Sequence, residues 1–150
     1  MKTILSVIFA AVALLALPTL AQAQYSRVYG PQPLTLRTNY IGASTATNYN
    51  LTIDCAGQRN VTLMLHQQND DSGTANLTYV FYGSLDNSTF ATAPTFSVAL
   101  AANGTTAVNT LTNIDTLGYG YLRLGYITNA AASANCTNVS VSYGLKLGAN

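Results

Sequence analysis

The chain contains no tryptophan and no glutamate, and His66 is its only histidine. Charged residues make up 7% of the 150 residues, and six Lys and Arg residues face five aspartates. A chain without an excess of basic residues has no surface that follows a phosphate backbone, so we predict no nucleic-acid partner. The same balance argues against attraction to an anionic membrane surface.

The small number of titratable side chains also argues against catalysis. His66 lies beside glutamines, and no nucleophile-elbow motif, pair of facing carboxylates or glycine-rich phosphate loop is recognisable. Four of the five aspartates lie in or beside predicted turns, where Asp bonds to the backbone. We therefore predict no enzyme activity, no catalytic residue and no cofactor. We also predict no metal site, although the oxygen atoms of residues 70–73 leave a calcium loop as an alternative.

The first 23 residues have the pattern of an export signal. Lys2 precedes an apolar run over residues 4–17, and Ala21-Gln22-Ala23 is a small-x-small cleavage motif. The run of about 14 residues is shorter than the roughly 20 that a membrane-spanning helix needs. The sequence predicts a signal peptide at 1–23 and a secreted, extracellular or periplasmic protein without a membrane segment after cleavage. Loss of Lys2 would leave five cations against five aspartates.

Two cysteines, Cys55 and Cys136, are the only ones in the chain. Thiols outside the cytoplasm usually pair, so we predict a disulfide between them. A closed loop of roughly 80 residues would stabilise the fold by about 4 kcal/mol in the chain-entropy model.

Period-two alternation of apolar and polar residues dominates the rest of the chain and predicts β-strands. Leu77, Tyr79 and Phe81 share one face, and Leu122, Leu124 and Tyr126 are predicted to do the same. Asn103-Gly104 is the strongest local hairpin signal. About eight short strands predict an all-β fold, an antiparallel β-sandwich of jelly-roll type. Residues 24–47 are predicted as an N-terminal arm or edge strand and residues 48–150 as the sandwich domain.

Tyrosine is abundant, with ten residues. Tyr82, Tyr121 and Arg123 are predicted to point away from the more apolar face of their strands. A Tyr/Arg surface of this kind suits a glycan or a protein partner, so these three residues form our candidate binding surface. Cross-strand packing of tyrosines is the structural alternative.

The segment Tyr79-Val-Phe-Tyr-Gly83-Ser-Leu-Asp86, followed by Tyr121-Leu-Arg123-Leu, resembles discoidin-type jelly rolls. Small β-sandwich proteins of phage virions look similar too, including the loop and Val-Ser-Val-Ser-Tyr strand between Asn129 and Tyr143. The resemblance covers roughly residues 76–145. The discoidin pattern departs here, because Phe90 stands where a Trp is expected and the terminal cysteine pairing is not reproduced. The resemblance implies a jelly roll and recognition of carbohydrate or of a cell surface.

Neutral charge and Thr/Asn/Tyr-rich strands favour a secreted, non-enzymatic structural or assembly subunit of a surface layer, fibre or virion-like particle. Surfaces near zero net charge associate easily, so its expected partner is a second copy or another extracellular protein. The alternative is an extracellular module that binds carbohydrate or a cell surface, with a glycan as ligand.

Overall fold

The computed structural model describes residues 28–36, 38–55, 58–70 and 73–147, and the predicted signal peptide lies outside them. Within these ranges the chain forms eight strands: β1 (Val28–Leu34), β2 (Ala46–Asp54), β3 (Gln58–Asn69), β4 (Thr74–Ser84), β5 (Phe96–Asn103), β6 (Val108–Asp115), β7 (Tyr121–Asn129) and β8 (Cys136–Leu147). No helix in the described part of the chain is long and apolar enough to cross a bilayer.

The eight strands form two four-stranded antiparallel sheets. The first has the order β1-β8-β3-β6 and the second has the order β2-β7-β4-β5. Consecutive strands therefore alternate between the sheets in most steps, which is the Greek-key arrangement of a jelly roll. The predicted all-β sandwich of about eight strands is confirmed.

The core lies between the sheets and follows the predicted alternation. Inward-facing positions of β3 and β4 are fully buried, while their neighbours along each strand reach the outer faces. The largest of these buried side chains are Leu63, Leu65, Leu77, Tyr79 and Phe81. Phe81 also contacts Phe96, with ring centroids 6.4 Å apart. The period of two thus places the apolar residues of each strand on the face that meets the opposite sheet.

The connections gather at two ends of the sandwich. Residues 35–36, 38–45, 70, 73, 104–107 and 130–135 form what we call the four-loop end, and residues 55, 85–95 and 116–120 form the three-loop end. Backbone hydrogen bonds join neighbouring loops at each end, such as Ser44 N to Ala131 O and Gly120 N to Ser84 O. β1, the first described strand, lies at a sheet edge beside β8.

Buried amide side chains hold the four-loop end together. Asn129 Nδ2 donates to the carbonyls of Ile41 (3.4 Å) and Ala134 (2.8 Å), and its Oδ1 accepts from Ala131 N (3.0 Å). Asn69 Nδ2 donates to Gly73 O and Ala102 O, which connects the first sheet to the second. These bonds tie the connections of the four-loop end to one another and to β5.

The predicted disulfide is wrong. Cys55 is at the three-loop end, where its carbonyl accepts a hydrogen bond from Gln58 N at the start of β3. Cys136 is at the four-loop end, where it pairs with Asn69 at the last position of β3. The length of that strand, about 35 Å, separates the two residues, whereas a disulfide needs Cα atoms within about 7 Å. Both cysteines are buried free thiols.

The two thiols are therefore expected to resist modification in the folded protein. Burial raises the pKa of Cys55 to about 12 and that of Cys136 to about 11, so almost no thiolate exists at neutral pH. A thiol reagent added at pH 8 should label neither cysteine in buffer and both in 6 M guanidinium. A mass that is two daltons low after denaturation without reductant would instead indicate a disulfide.

Two further predictions about β7 and the turns are wrong. The register between β4 and β7 shifts at one point, because Val80 is opposite Tyr126 whereas the next residue, Phe81, is opposite Leu124. Tyr126 therefore lies on the outer face of β7 and not on the inner face with Leu124. The turn at Asn103-Gly104 forms, with Gly104 at φ 68°, but it leads from β5 into β6. Because those strands belong to different sheets, this turn is a crossover between sheets and not a hairpin.

Candidate functional site

The three predicted surface residues lie on the outer face of the second sheet, near the three-loop end. Tyr82 on β4 is directly opposite Arg123 on the neighbouring β7. Tyr121 is two residues earlier on β7, opposite Ser84 and next to the edge strand β2 at Asp54. The structure thus brings Tyr82 and Arg123 into contact and places Tyr121 on the same side, half-buried.

The Arg123 guanidinium is packed against aromatic rings. Its Cζ atom is 4.0 Å from the centroid of Phe90 and 5.8 Å from that of Tyr82. Phe90 reaches this position because it forms a bridge with Ser84 after the 85–89 turn. Both distances are in the range of cation–π attraction. The Arg123 Nε atom is buried and has no hydrogen-bond partner among the residues that the structure describes.

Tyr82 extends the aromatic cluster along the sheet. Its ring is 6.3 Å from that of Tyr126, and it occupies the space above Gly125, where a Cβ would come within 2.5 Å of Tyr82 Cε2. The pKa of Tyr82 lies above its usual value because of desolvation and the neighbouring Tyr126 hydroxyl, while Arg123 acts in the opposite direction. We call Tyr82, Phe90, Arg123 and Tyr126 the Arg123 cluster.

A depression of about 530 Å³ adjoins the Arg123 cluster at the three-loop end. Phe90 belongs to both, and the depression continues along the turn at 83–86 to Tyr119. The ring of Tyr119 rests on Gly83, where any Cβ would come within 2.5 Å of it. Leu85 and Leu117 are 77% and 72% exposed at this end. The depression is therefore an apolar feature with aromatic walls, which suits contact better than acid–base chemistry.

Asp86, the one carboxylate lining this depression, is hydrogen-bonded within its own turn. Its Oδ1 accepts from Ser88 N (2.9 Å), Thr89 N (2.8 Å) and Ser84 Oγ (3.1 Å). These hydrogen bonds hold its pKa far below the usual range, with the backbone bonds to Thr89 and Ser88 as the largest causes. Asp86 therefore stabilises its turn as a carboxylate and is unprotonated at neutral pH.

The other groups weighed for chemistry have structural partners. His66 Nδ1 is 2.7 Å from Asn109 Oδ1 on the outer face of the first sheet. Asp70 accepts a hydrogen bond from Asn135 Nδ2 at 2.9 Å. Within the described ranges, no three His, Cys, Asp or Glu side chains are grouped so as to hold a metal ion. The alternative calcium loop includes Asp71 and Ser72, which lie outside those ranges.

Sequence reasoning missed half of the Arg123 cluster. The alternation predicts Tyr126 in the core, because it gives no sign of the irregularity beside it. Phe90 follows a loop of five polar and apolar residues without periodicity, so nothing in the sequence aims it at Arg123. Gly125 is the usable signal for Tyr126, because a glycine inside a strand often marks a bulge or a close approach, here that of the Tyr82 ring.

The sequence matches no protein-family model and no curated protein. Among solved structures, a chain of the T13 IBDV viral particle, from infectious bursal disease virus, is similar with TM-score 0.50 and 14% identity, over 80% of this chain and 31% of its own. The PBSX exported protein XepA has TM-score 0.48 and 17% identity, over 80% and 38% of the two chains. The PRD1 vertex protein P5 has TM-score 0.45 and 10% identity, over 79% and 95%.

These likenesses concern the fold. The chain spans about a third of the length of the first two structures. The predicted resemblance to virion β-sandwich proteins is confirmed at that level, since the architecture is shared with a chain of a viral particle.

Proposed function

We propose that this protein is a secreted, non-enzymatic structural subunit that assembles with other copies of itself into a surface layer, fibre or virion-like particle. The observation that carries the proposal is the jelly-roll strand order, an architecture used by viral capsid proteins. The likeness to a chain of the IBDV viral particle also supports a structural role.

The outer face of the first sheet has the character of a contact surface. Its strands present hydrogen-bonded polar pairs, Thr62 with Asn113 (2.6 Å) and His66 with Asn109 (2.7 Å). Between these rows, Met64 lies opposite Leu111, and both are exposed. A face with fixed side chains and almost no charge has little desolvation cost or repulsion to overcome when a like face approaches.

Self-association of the chain from residue 24 onward tests this proposal. Sedimentation velocity at 1–500 μM should show species larger than a monomer that increase with concentration, and negative-stain electron microscopy should show their form. Because few charges are involved, raising the salt concentration from 0.05 to 0.5 M should change the distribution little. A single monomeric species at the highest concentration would overturn the proposal.

Export is the second part of the proposal and has its own test. Expression of the full chain in a bacterial host should release a product whose amino terminus is Gln24, detected by intact mass of the exported fraction. A matched variant with Ala21→Arg and Ala23→Arg should remain uncleaved, because signal peptidases require small residues there. Retention of the unmodified chain at full length would contradict export.

A glycan-binding module is the second candidate function, and the Arg123 cluster favours it. Aromatic faces beside a cation and an apolar depression suit the stacking and hydrogen bonding of a sugar ring. A glycan array should show ligands that bind the wild type and that are lost from Arg123→Ala and Phe90→Ala. Tyr40→Ala, which removes an exposed ring elsewhere, should keep them. An array without any ligand would remove this candidate.

A further inference from the structure

The four edge strands of the sandwich are not equally protected against pairing with another chain. β1 contains Pro31 and Pro33 and has an irregular register between Tyr29 and Gln32. β2 is irregular between Asn48 and Leu51. Prolines and register irregularities are typical of edge strands that do not pair with another chain.

The edge strand β6 lacks such protection. It pairs with β3 in continuous register over eight residues, from Val108 to Asp115, without a proline or a shift. Its single charged residue is Asp115, at its last position. A regular, uncharged edge presents a row of backbone N–H and C=O groups that fits one more strand.

An exposed apolar side chain lies at the middle of this edge. Leu111 is 71% exposed, and Met64, its neighbour on β3, is 43% exposed. On the remaining regular edge, β5, the exposed side chains between residues 96 and 102 are small: Ser97, Ala99 and Ala101. β6 is therefore the edge at which an added strand would also bury apolar surface.

We infer that β6 pairs antiparallel with β6 of a second copy about a two-fold axis through Leu111, which joins the two first sheets into one eight-stranded sheet. The inference rests on the proposed self-association and names the surface that carries it. The occupant is a second copy because β6 is self-complementary in this register and in none of the neighbouring ones.

The self-complementarity follows from the side chains. Residues directly opposite each other in an antiparallel pair point to the same face of the sheet. The two copies can therefore share one outer face only if odd-numbered residues are opposite odd-numbered ones, so that each pair of residue numbers has an even sum. With Leu111 opposite Leu111 of the second copy, the other pairs are Asn109 with Asn113, Thr110 with Thr112 and Val108 with Ile114. Moving the axis to Thr112 would pair Leu111 with Asn113 and Thr110 with Ile114. Only the register centred on Leu111 matches like with like.

The same register builds a continuous apolar row and separates the charges. Met64 and Leu111 of each copy would form a row of four side chains across the junction, about 14 Å long for three strand spacings. The two Asp115 carboxylates would be eight residues apart along the ladder, roughly 26 Å, well beyond the Debye length of about 8 Å. Parallel pairing would put them side by side.

Disulfide trapping of the full mature chain tests the register. Opposite Cα atoms in an antiparallel ladder are about 4.5–5.5 Å apart, within the range of about 4.4–6.8 Å that a disulfide spans. Leu111→Cys should therefore form a covalent dimer within minutes under mild oxidation. Leu85→Cys and Leu117→Cys are matched controls, because these residues are equally exposed but lie at the three-loop end. The buried native thiols should not take part.

The outcomes separate this inference from the proposed function. Cross-linking at least about tenfold faster for Leu111→Cys than for either control supports the β6 pair. Equal rates in all three variants, in a wild type that does associate by sedimentation, would overturn the β6 pair and leave self-association standing. A monomeric wild type would overturn both.

A charge at the axis supplies a second variant that does not depend on oxidation. Leu111→Lys places two like charges directly opposite each other and removes the apolar contact, so the dissociation constant should rise by about tenfold or more. Leu85→Lys is the matched control and should leave it unchanged. Because both sites are exposed, urea midpoints of the monomeric fraction should stay within experimental error. Unaltered association of Leu111→Lys would count against the pair.

Discussion

Replacing Asn129 with alanine is expected to lower the free energy of unfolding by about 3 kcal/mol. The amide satisfies two buried carbonyls, of Ile41 and Ala134, and the buried N–H of Ala131. Alanine makes none of these bonds, so the Ala134 carbonyl and the Ala131 N–H lose the partner that Asn129 supplies, whereas the Ile41 carbonyl keeps its bond from Cys136 N. Urea unfolding followed by circular dichroism should show a lower midpoint at an unchanged slope.

The matched control is Asn48→Ala, because Asn48 is an exposed asparagine on the outer face of β2. That substitution should change the free energy of unfolding by less than about 0.5 kcal/mol. If both variants lose equal stability, the loops of the four-loop end are not held by the buried amide. Asn129→Asp is a sharper version, since it keeps the acceptor and loses the donor.

The second large effect is expected at alkaline pH. Burial raises the pKa of Tyr49 to about 12 and that of Cys55 to about 12, and it also raises the pKa of Tyr79. An acid whose pKa is higher in the folded state keeps its proton there and loses it on unfolding. Its stabilising contribution is complete below the unfolded pKa, near 9 for Cys and 10 for Tyr, and is lost as the pH rises through the folded value. Stability should therefore fall steeply between pH 9 and 12.

Urea midpoints measured at intervals from pH 7 to 12 check this expectation. Tyr49→Phe should flatten part of the slope above pH 10, although it loses the hydrogen bond from the Tyr49 hydroxyl to Thr38 O and starts from a lower value. Tyr40→Phe is the control, because Tyr40 is 47% exposed and its change should leave the slope intact. A wild-type midpoint that stays constant up to pH 11 would contradict the burial argument.

The fold was accessible from the sequence because the period of two is a local property of each strand. Leu77, Tyr79 and Phe81 point inward in any sheet that β4 joins, so the core could be predicted without knowing the neighbours of the strand. The pairing of Cys55 with Cys136 failed for the opposite reason. Strand order decides which end of β3 each cysteine meets, and neither spacing nor cysteine count contains that information.

In the candidate site, too, strand alternation predicts some residues and not others. Tyr82 and Arg123 were predicted on one surface from their alternation, and the structure places them opposite each other. Their further partners, Phe90 and Tyr126, depend on a loop conformation and on a register irregularity. Both are tertiary features, which arise from packing between elements and leave no periodic signal in the sequence.

The strand order also governs how the chain reaches its folded state. Among the eight described strands, only β4 and β5 are both consecutive in the chain and paired with each other. By contrast, β1 pairs with β8 and β2 pairs with β7, which are distant in the chain. Ladders between distant segments require large loops to close first, and folds of this type form in milliseconds to seconds instead of microseconds. The first sheet cannot be completed until residues 136–147 have been synthesised. The first sheet therefore cannot form in full before β8 has left the ribosome.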